Sequence, residues 1–365
     1  MKVKFIRAVL QEALGPVTSI VPSRTPKPIL YCLRVATEQN AVRISATDLE
    51  VGITALVSQV EVAEEGDVVI PADKLNAIVR ESVDEVIEMQ AAESAVHLIG
   101  SDSRFMIYSH DPAQYPKVPG FEGQPDLEIK MDKLQEGIER TVFAAAKENT
   151  RYALNGVLWE LQGKKLALVA TDGRRLSKAL IPLERAVSMP DGRIIVPAKT
   201  MAILDKIPSQ DGATAGIRFI DNQIVLQCGD VVVSSNLLEG NFPRYEDIIP
   251  KDYQKKVILP TAATLSAVRR AALLATEDSK GVKLTLDKQS LVFSSRAPET
   301  GDAHIDMAVE YDGEPIEIGF NPQFLIEALR VIRGNEFELH LGQPDRPGLI
   351  KDGTNFLYLV MPVTL

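Results

Sequence analysis

Val68-Val69-Ile70-Pro71-Ala72-Asp73-Lys74-Leu75-Asn76-Ala77-Ile78-Val79 reads as a strand that meets a proline and turns into a helix. The β-branched run favours extended backbone, and the proline suits a strand end or a first helical turn. The pattern returns as Arg193-Ile194-Ile195-Val196-Pro197-Ala198-Lys199-Thr200-Met201-Ala202-Ile203-Leu204. It returns more loosely as Ile316-Glu317-Ile318-Gly319-Phe320-Asn321-Pro322-Gln323-Phe324-Leu325-Ile326-Glu327-Ala328-Leu329. Pro71 and Pro197 are 126 residues apart, and Pro197 and Pro322 are 125 apart. Such a period is too long for a solenoid and predicts three copies of one domain.

Other features keep the same period. Ser45-Ala46-Thr47-Asp48-Leu49 precedes Val169-Ala170-Thr171-Asp172-Gly173 by 124 residues, while the third copy has Phe293-Ser294-Ser295-Arg296 there and loses the Thr-Asp pair. Asp111-Pro112-Ala113-Gln114-Tyr115-Pro116-Lys117-Val118-Pro119 matches Glu239-Gly240-Asn241-Phe242-Pro243-Arg244-Tyr245 in character. The third copy closes on Val360-Met361-Pro362-Val363. Each copy opens with a helical pattern, at 5–20, 131–146 and 261–275. Between the helices lie short apolar or alternating runs such as Lys165-Leu166-Ala167-Leu168-Val169, which predict strands. The expectation is an α+β chain of three repeated domains, at 1–121, 122–250 and 251–365.

The composition narrows the function. The 365 residues are 45% hydrophobic and 25% charged, as in a globular protein with a sizeable core. No long apolar stretch predicts a signal peptide or a membrane span. Cys32 and Cys228 are far apart and have no CxxC companion, which fits two thiols in a reducing cytoplasm rather than a zinc site or a disulfide framework. An enzyme built on Asp172, Arg174 and Arg175 as a phosphate site is one alternative. Against it, the chain has no Walker loop, HExxH, GxSxG or GxGxxG, and His97, His110, His304 and His340 lack metal-ligand spacing. No catalytic residue, metal or cofactor is expected. A β-rich scaffold that binds no nucleic acid is the other alternative.

The net charge of −10 argues against a protein that grips nucleic acid over its whole surface. Its distribution says more. The helix after each repeat proline carries basic residues: Lys74 and Arg80, then Lys199 and Lys206, then Arg330 and Arg333. The opening helices add Arg7, Lys133, Arg140, Lys147, Arg269 and Arg270. Spacings of 3 and 7 place side chains on one helix face. In one helix this would be an ordinary solvated face; in three copies it predicts a basic lining.

Arg151-Tyr152-Ala153-Leu154-Asn155-Gly156-Val157-Leu158, followed by Ala170-Thr171-Asp172-Gly173-Arg174-Arg175-Leu176, resembles the bacterial sliding clamp family. Gly240-Asn241-Phe242-Pro243-Arg244-Tyr245, Ile318-Gly319-Phe320-Asn321 and the final Val360-Met361-Pro362-Val363-Thr364-Leu365 extend the resemblance over the whole chain. These stretches are specific together and not singly. The resemblance implies three clamp-type domains, with helices lining a hole and β-sheets on the outside. Two subunits would join head to tail as a dimeric ring. It further implies a cytoplasmic, non-catalytic processivity factor that encircles duplex DNA without regard to sequence. Its partners would be a second copy of itself, the replicative polymerase and the clamp loader. Other polymerases and repair proteins would dock through short linear motifs, and no membrane would be involved.

Carried over residue by residue, the resemblance implies three sites. The partner-peptide pocket would comprise Leu154, Thr171, Gly173, Arg174, Arg175, Leu176, Pro243, Ile248, Val360, Met361, Pro362 and Val363, with Leu176, Val360 and Met361 as an open apolar cluster. The DNA contacts would be Arg24, Tyr152 and Lys199. The dimer interface would use Lys74, Arg104, Phe105, Ile107, Leu273 and Leu274, with Glu299 and Asp302 facing Lys74 or Arg104. The chain departs from the family pattern at Asp73, Glu148 and Ala153, which implies weaker direct DNA contact. It departs again at Asp247, which implies a different peptide charge preference.

Overall fold

The computed structural model describes every residue except Glu93, 148–151, Ala186, Ser188, 251–252, 276–280, Glu299 and Leu365, and the side chains of Tyr152 and Pro190. Among the described residues the α-helices are α1 (Arg7–Thr18), α2 (Ala72–Glu81), α3 (Met131–Glu139), α4 (Ala198–Leu204), α5 (Thr261–Ala272) and α6 (Pro322–Arg330). The three strand-to-helix repeats form as read. Asp67–Pro71 runs into α2, Arg193–Pro197 into α4 and Ile316–Phe320 into α6. In the third, the Asn321 side chain accepts from the Gln323 N–H (2.9 Å), capping the helix ahead of Pro322.

The opening helices are shorter than their apolar patterns. Phe5 belongs to the strand Lys2–Ile6, where Val3 and Phe5 are buried and Lys4 is exposed, so period two prevails over period 3.6. Helix α1 then buries Leu10, Leu14 and Val17 along one stripe. Helix α3 stops at Glu139. Beyond it Thr141 donates its hydroxyl to the Gly137 carbonyl (2.7 Å), and Val142–Ala144 tightens into a 3-10 turn.

The chain packs as two compact units, and the central repeat is divided between them. The first comprises Met1–Gln135, Glu184–Asp191 and Lys199–Leu237. Its five-stranded sheet runs in the order Val60–Glu64, Lys2–Ile6, Val86–Ala92, Ala95–Ile99, Arg104–Tyr108. Its eight-stranded sheet runs Leu127–Lys130, Thr214–Ile220, Gln223–Cys228, Val231–Asn236, Val51–Val57, Ala41–Thr47, Cys32–Glu38, Asp67–Pro71. Residues of the first and second repeats therefore share one sheet, joined where Val231–Asn236 pairs antiparallel with Val51–Val57.

The second unit comprises Glu136–Leu183, Gly192–Ala198 and Leu238–Leu365. Its eight-stranded sheet repeats the device with the second and third repeats. The order is Arg193–Pro197, Gly156–Gln162, Lys165–Thr171, Arg175–Pro182, Phe356–Val360, Gly348–Asp352, Glu336–Leu341, Lys255–Pro260. The join is Arg175–Pro182 against Phe356–Val360, with Arg175 opposite Val360 and Leu176 opposite Leu359. A four-stranded sheet follows in the order Gly301–Ala308, Ser290–Ala297, Val282–Asp287, Ile316–Phe320. Helices α5 and α6 pack on each other, and Phe293, Phe320, Phe356 and Tyr358 fill the core of the third repeat. On the opposite face of the eight-stranded sheet a second cluster gathers Leu158, Val169, Leu176 and Leu359 under Phe242 and Tyr245.

Candidate functional site

The Thr-Asp-Gly sequence of the second unit closes a tight turn. Thr171 Oγ1 donates to the Arg175 carbonyl (2.6 Å) and accepts from the Gly173 N–H (3.1 Å). Asp172 Oδ1 accepts from the Arg174 and Arg175 N–H groups (2.9 and 3.1 Å). Gly173 sits at φ +89°, a conformation glycine adopts without strain. The last strand is stitched to this turn, since the Met361 N–H donates to the Arg174 carbonyl (2.9 Å). Two residues on, the Val363 N–H donates to the Gly319 carbonyl (2.9 Å).

Arg175 was expected on the pocket rim, and the structure corrects this. Its Nε donates to Asp172 Oδ2 (3.1 Å), its Nη1 to Glu327 Oε2 and its Nη2 to the Phe143 carbonyl (2.8 Å). The guanidinium also stacks on the Phe324 ring, 4.3 Å from its centroid. Burial opposes the charge, but Glu327 above all more than offsets it, and the pKa lies above its ordinary value. Every nitrogen is engaged inside the unit, so Arg175 is a structural tie. Arg174 is exposed beside it, with its guanidinium 5.5 Å from the Phe324 centroid.

Strand alternation makes a second correction. Arg175 and Val360 are register partners on the face that packs on the third-repeat core, and Val360 is fully buried there. Leu176 and Leu359 are partners on the other face, 1% and 2% exposed. Leu176 and Val360 therefore do not form one open cluster with Met361. Leu154, Thr171, Leu176 and Leu359 are a buried floor. Pro243, Met361, Pro362 and Val363 are half-buried, with Met361 packed against the cluster of Leu176 and Leu359, and Gly173, Arg174 and Ile248 are exposed. Leu359 was missed in the sequence, although period two from Met361 points to it.

Phe242 and Tyr245, also missed, hold the rim. Tyr245 donates to Glu160 Oε2 (2.6 Å) and accepts from Gln162 Nε2 (2.9 Å). Burial first, and the carboxylate of Glu160 second, push its pKa up. The Lys178 ammonium lies 5.1 Å from the Tyr245 ring centroid. This anchor fixes the 3-10 turn Tyr245–Ile248, which presents Ile248 at 44% exposure with Asp247 exposed beside it.

The DNA candidates have different surroundings. Arg24 is exposed on the loop after α1. Lys199 is half-exposed and ion-paired with Asp48. The side chain of Tyr152, and Glu148, lie outside the described residues; Ala153 is 6% exposed and packs in the outer cluster. Asp73 is exposed and paired with Lys74 (3.1 Å). Among the predicted lining residues, Arg140 is a correction: it is 7% exposed and bound to Asp352 (3.0 Å) and Glu136 (3.3 Å), an interior ion pair. Arg269, Arg270, Arg330, Lys206 and Lys147 are exposed, and Arg333 is exposed but paired with Glu139.

Each unit also has an open sheet edge. Arg104–Tyr108 ends the five-stranded sheet, with Phe105, Met106 and Tyr108 exposed by 42%, 56% and 72%. Arg104 is exposed. Ile107 faces inward and is 7% exposed in the single chain. Gly301–Ala308 ends the four-stranded sheet with Asp302 exposed; Leu273 after α5 is 80% exposed and Leu274 half-buried. Glu299 lies outside the described residues. Edge strands with unpaired backbone groups are templates for pairing with another chain.

Among the described residues no group of three or more His, Cys, Asp or Glu side chains converges to hold a metal. Burial raises the pKa of both free thiols, Cys32 to about 11, so neither is an activated nucleophile. No helix among the described residues is long and apolar enough to cross a membrane.

The model of the DNA polymerase III beta subunit N-terminal domain matches residues 1–119, that of the central domain 128–244 and that of the C-terminal domain 246–364. A beta sliding clamp of Chlamydia muridarum is 30% identical over 369 residues, covering 100% of this chain and 99% of that protein. The crystal structure of the DNA polymerase III subunit beta from Pseudomonas aeruginosa superposes with a TM-score of 0.93 at 30% identity, covering 100% of both chains. A sliding clamp from the same organism bound to griselimycin gives 0.94 at 30% identity, again over 100% of both chains.

Proposed function

The chain belongs to the DNA polymerase III beta subunit family, the beta sliding clamps, and from that membership we propose that it encircles duplex DNA and tethers the replicative polymerase to it. The observation that carries this reading is the three clamp-domain matches, which run through the chain from residue 1 to residue 364. The family is a non-catalytic processivity subunit. The domains are proposed to run 1–121, 122–250 and 251–365.

In this reading two copies close a ring head to tail, the edge Arg104–Tyr108 of one meeting the edge Gly301–Ala308 of the other. Pairing would cover Phe105, Met106, Tyr108 and Leu273, whose exposure in the single chain supports it. Heterologous contacts close when the rotation per subunit closes. Enclosure holds DNA topologically, so side chains such as Arg24 and Lys199 need reach only phosphates, which carry no sequence information. The protein would work in the cytoplasm and depend on a separate loader to open the ring.

Partner proteins would dock a linear motif over the floor of Leu154, Thr171, Leu176 and Leu359, between Met361–Val363 and Ile248. The griselimycin-bound relative supports a ligand-binding surface in the family. Two measurements test the whole: size-exclusion with light scattering, where a dimer mass is expected, and retention on nicked circular DNA after loading, with release on linearisation. A monomer mass at micromolar concentration, or equal retention on linear DNA, would refute the ring.

A further inference from the structure

The turn at Thr47–Val51 in the first unit repeats the turn at Thr171–Arg175 bond for bond. Thr47 Oγ1 donates to the Val51 carbonyl (2.8 Å) and accepts from the Leu49 N–H (3.0 Å). Asp48 Oδ1 accepts from the Glu50 and Val51 N–H groups (2.9 and 2.8 Å). The Asn236 N–H donates to the Glu50 carbonyl (3.0 Å), as Met361 does to Arg174. In both turns one carboxylate oxygen caps the backbone and the other holds a cation. In the second unit that cation is the buried Arg175. In the first it is Lys199, whose Nζ contacts Asp48 Oδ2.

The two partners differ in freedom. The Asp48 side chain is 10% exposed and the Lys199 side chain 50%. Burial pushes the Asp48 pKa up, but Lys199 and the two backbone N–H groups outweigh it. The carboxylate is held below its usual range and is charged at neutral pH. Its oxygen is fixed by the turn, whereas a lysine head rides on a flexible four-carbon stem.

We propose that Asp48 is a fixed counter-charge for Lys199, which a DNA phosphate must displace before it engages that ammonium. The proposal rests on reading Lys199 as a phosphate contact. Exchanging a carboxylate for a phosphate gains less than capturing a free ammonium, so the contact stays shallow. Shallow, sequence-indifferent contacts are what a protein that slides along DNA requires.

Asp48→Asn isolates the charge, because the amide keeps an oxygen to accept from Glu50 and Val51; Asp48→Ser keeps an acceptor by a second route. The full-length protein is titrated with a short, fluorescein-labelled linear duplex over a series of NaCl concentrations, followed by anisotropy. Asp48→Asn should bind roughly fivefold more tightly at low salt. Its plot of log K against log salt should keep the wild-type slope, because the same phosphate is neutralised in both proteins and only the competing carboxylate is gone. Lys199→Ala should bind more weakly with a shallower slope, and adding Asp48→Asn to it should change neither quantity. An equal gain without Lys199 would reduce the effect to loss of general negative charge and overturn the proposal. So would a loss of affinity in Asp48→Asn with unchanged thermal unfolding. If Lys199→Ala matches wild type, the phosphate role of Lys199 falls as well; if only the Asp48 variants are silent, the counter-charge alone falls.

Discussion

Two adjacent arginines should behave oppositely when truncated. Arg175 has a side chain 8% exposed, bound to Asp172 (13% exposed), Glu327 (26% exposed) and the Phe143 carbonyl. Arg175→Ala leaves two carboxylates and a carbonyl without their cation. Removing one member of a buried ion pair costs about 3–5 kcal/mol. Partial exposure of Glu327 lets water re-solvate it, which places the expected loss at about 3 kcal/mol. Arg174 is exposed and contributes one stacking contact, so Arg174→Ala should cost about 0.5–1 kcal/mol. The chain has a single tryptophan, Trp159, fully buried in the same eight-stranded sheet, so its fluorescence reports this unit. With a urea slope of about 2–3 kcal/mol/M, the midpoint should fall by about 1–1.5 M for Arg175→Ala and by under about 0.5 M for Arg174→Ala. Equal shifts, or a larger one for Arg174→Ala, would refute the assignment of Arg175 as the internal tie.

Three further outcomes are expected. Met361→Ala should weaken binding of a fluorescent Gln-Leu-x-Leu-Phe peptide by about tenfold, and removal of 361–365 should abolish it without altering the dimer mass; equal affinity of truncated and intact protein would take the C-terminal segment out of the site. Leu273→Asp should yield folded monomers by light scattering, since an unpaired charge at a covered interface is costly, and an unchanged dimer mass at low concentration would contradict it. Calorimetric titration should give one peptide per chain, and a second class of site would contradict the filling of the first sheet join by Val118.

The fold was legible because a repeat repeats its physics. The Pro71, Pro197 and Pro322 junctions each became a strand entering a helix, since local geometry decides such junctions. Helix lengths were less legible: Phe5 satisfies both a period of 3.6 and a period of two, and only pairing of Lys2–Ile6 with Val86–Ala92 settles it. The site was legible by segment and not by side chain. Val360 and Leu359 are equally apolar, and which one faces Leu176 depends on register, a long-range property fixed by the pairing of two distant strands. The charged residues were hardest. Arg140, Arg175 and Arg333 look alike in sequence, but their carboxylate partners Asp352, Glu327 and Glu139 lie far along the chain.

The same repeat builds two sheet joins, yet their side chains differ. At the second join the outer face pairs Leu176 with Leu359, and Gly173 leaves the turn above them bare. At the first join the corresponding pair is Gly52 with Ser234, and the corresponding turn residue is Leu49. A Cβ on Gly52 would lie 2.7 Å from Val118 Cγ1 and 2.8 Å from Ser234 Oγ, so Val118 already fills the space that Leu176 takes in the other copy. Beyond the pair, Asn236 stands where Met361 stands, replacing an adaptable thioether with an amide. Leu49 is held at φ +80°, a left-handed conformation that is strained for a bulky residue and places its side chain at the turn where Gly173 has none. In the proposed docking, an apolar peptide anchor would meet the two leucines at one join and a filled, polar-walled seam at the other. Backbone hydrogen bonds that match at both joins cannot discriminate between them, so the selectivity must reside in these few side chains.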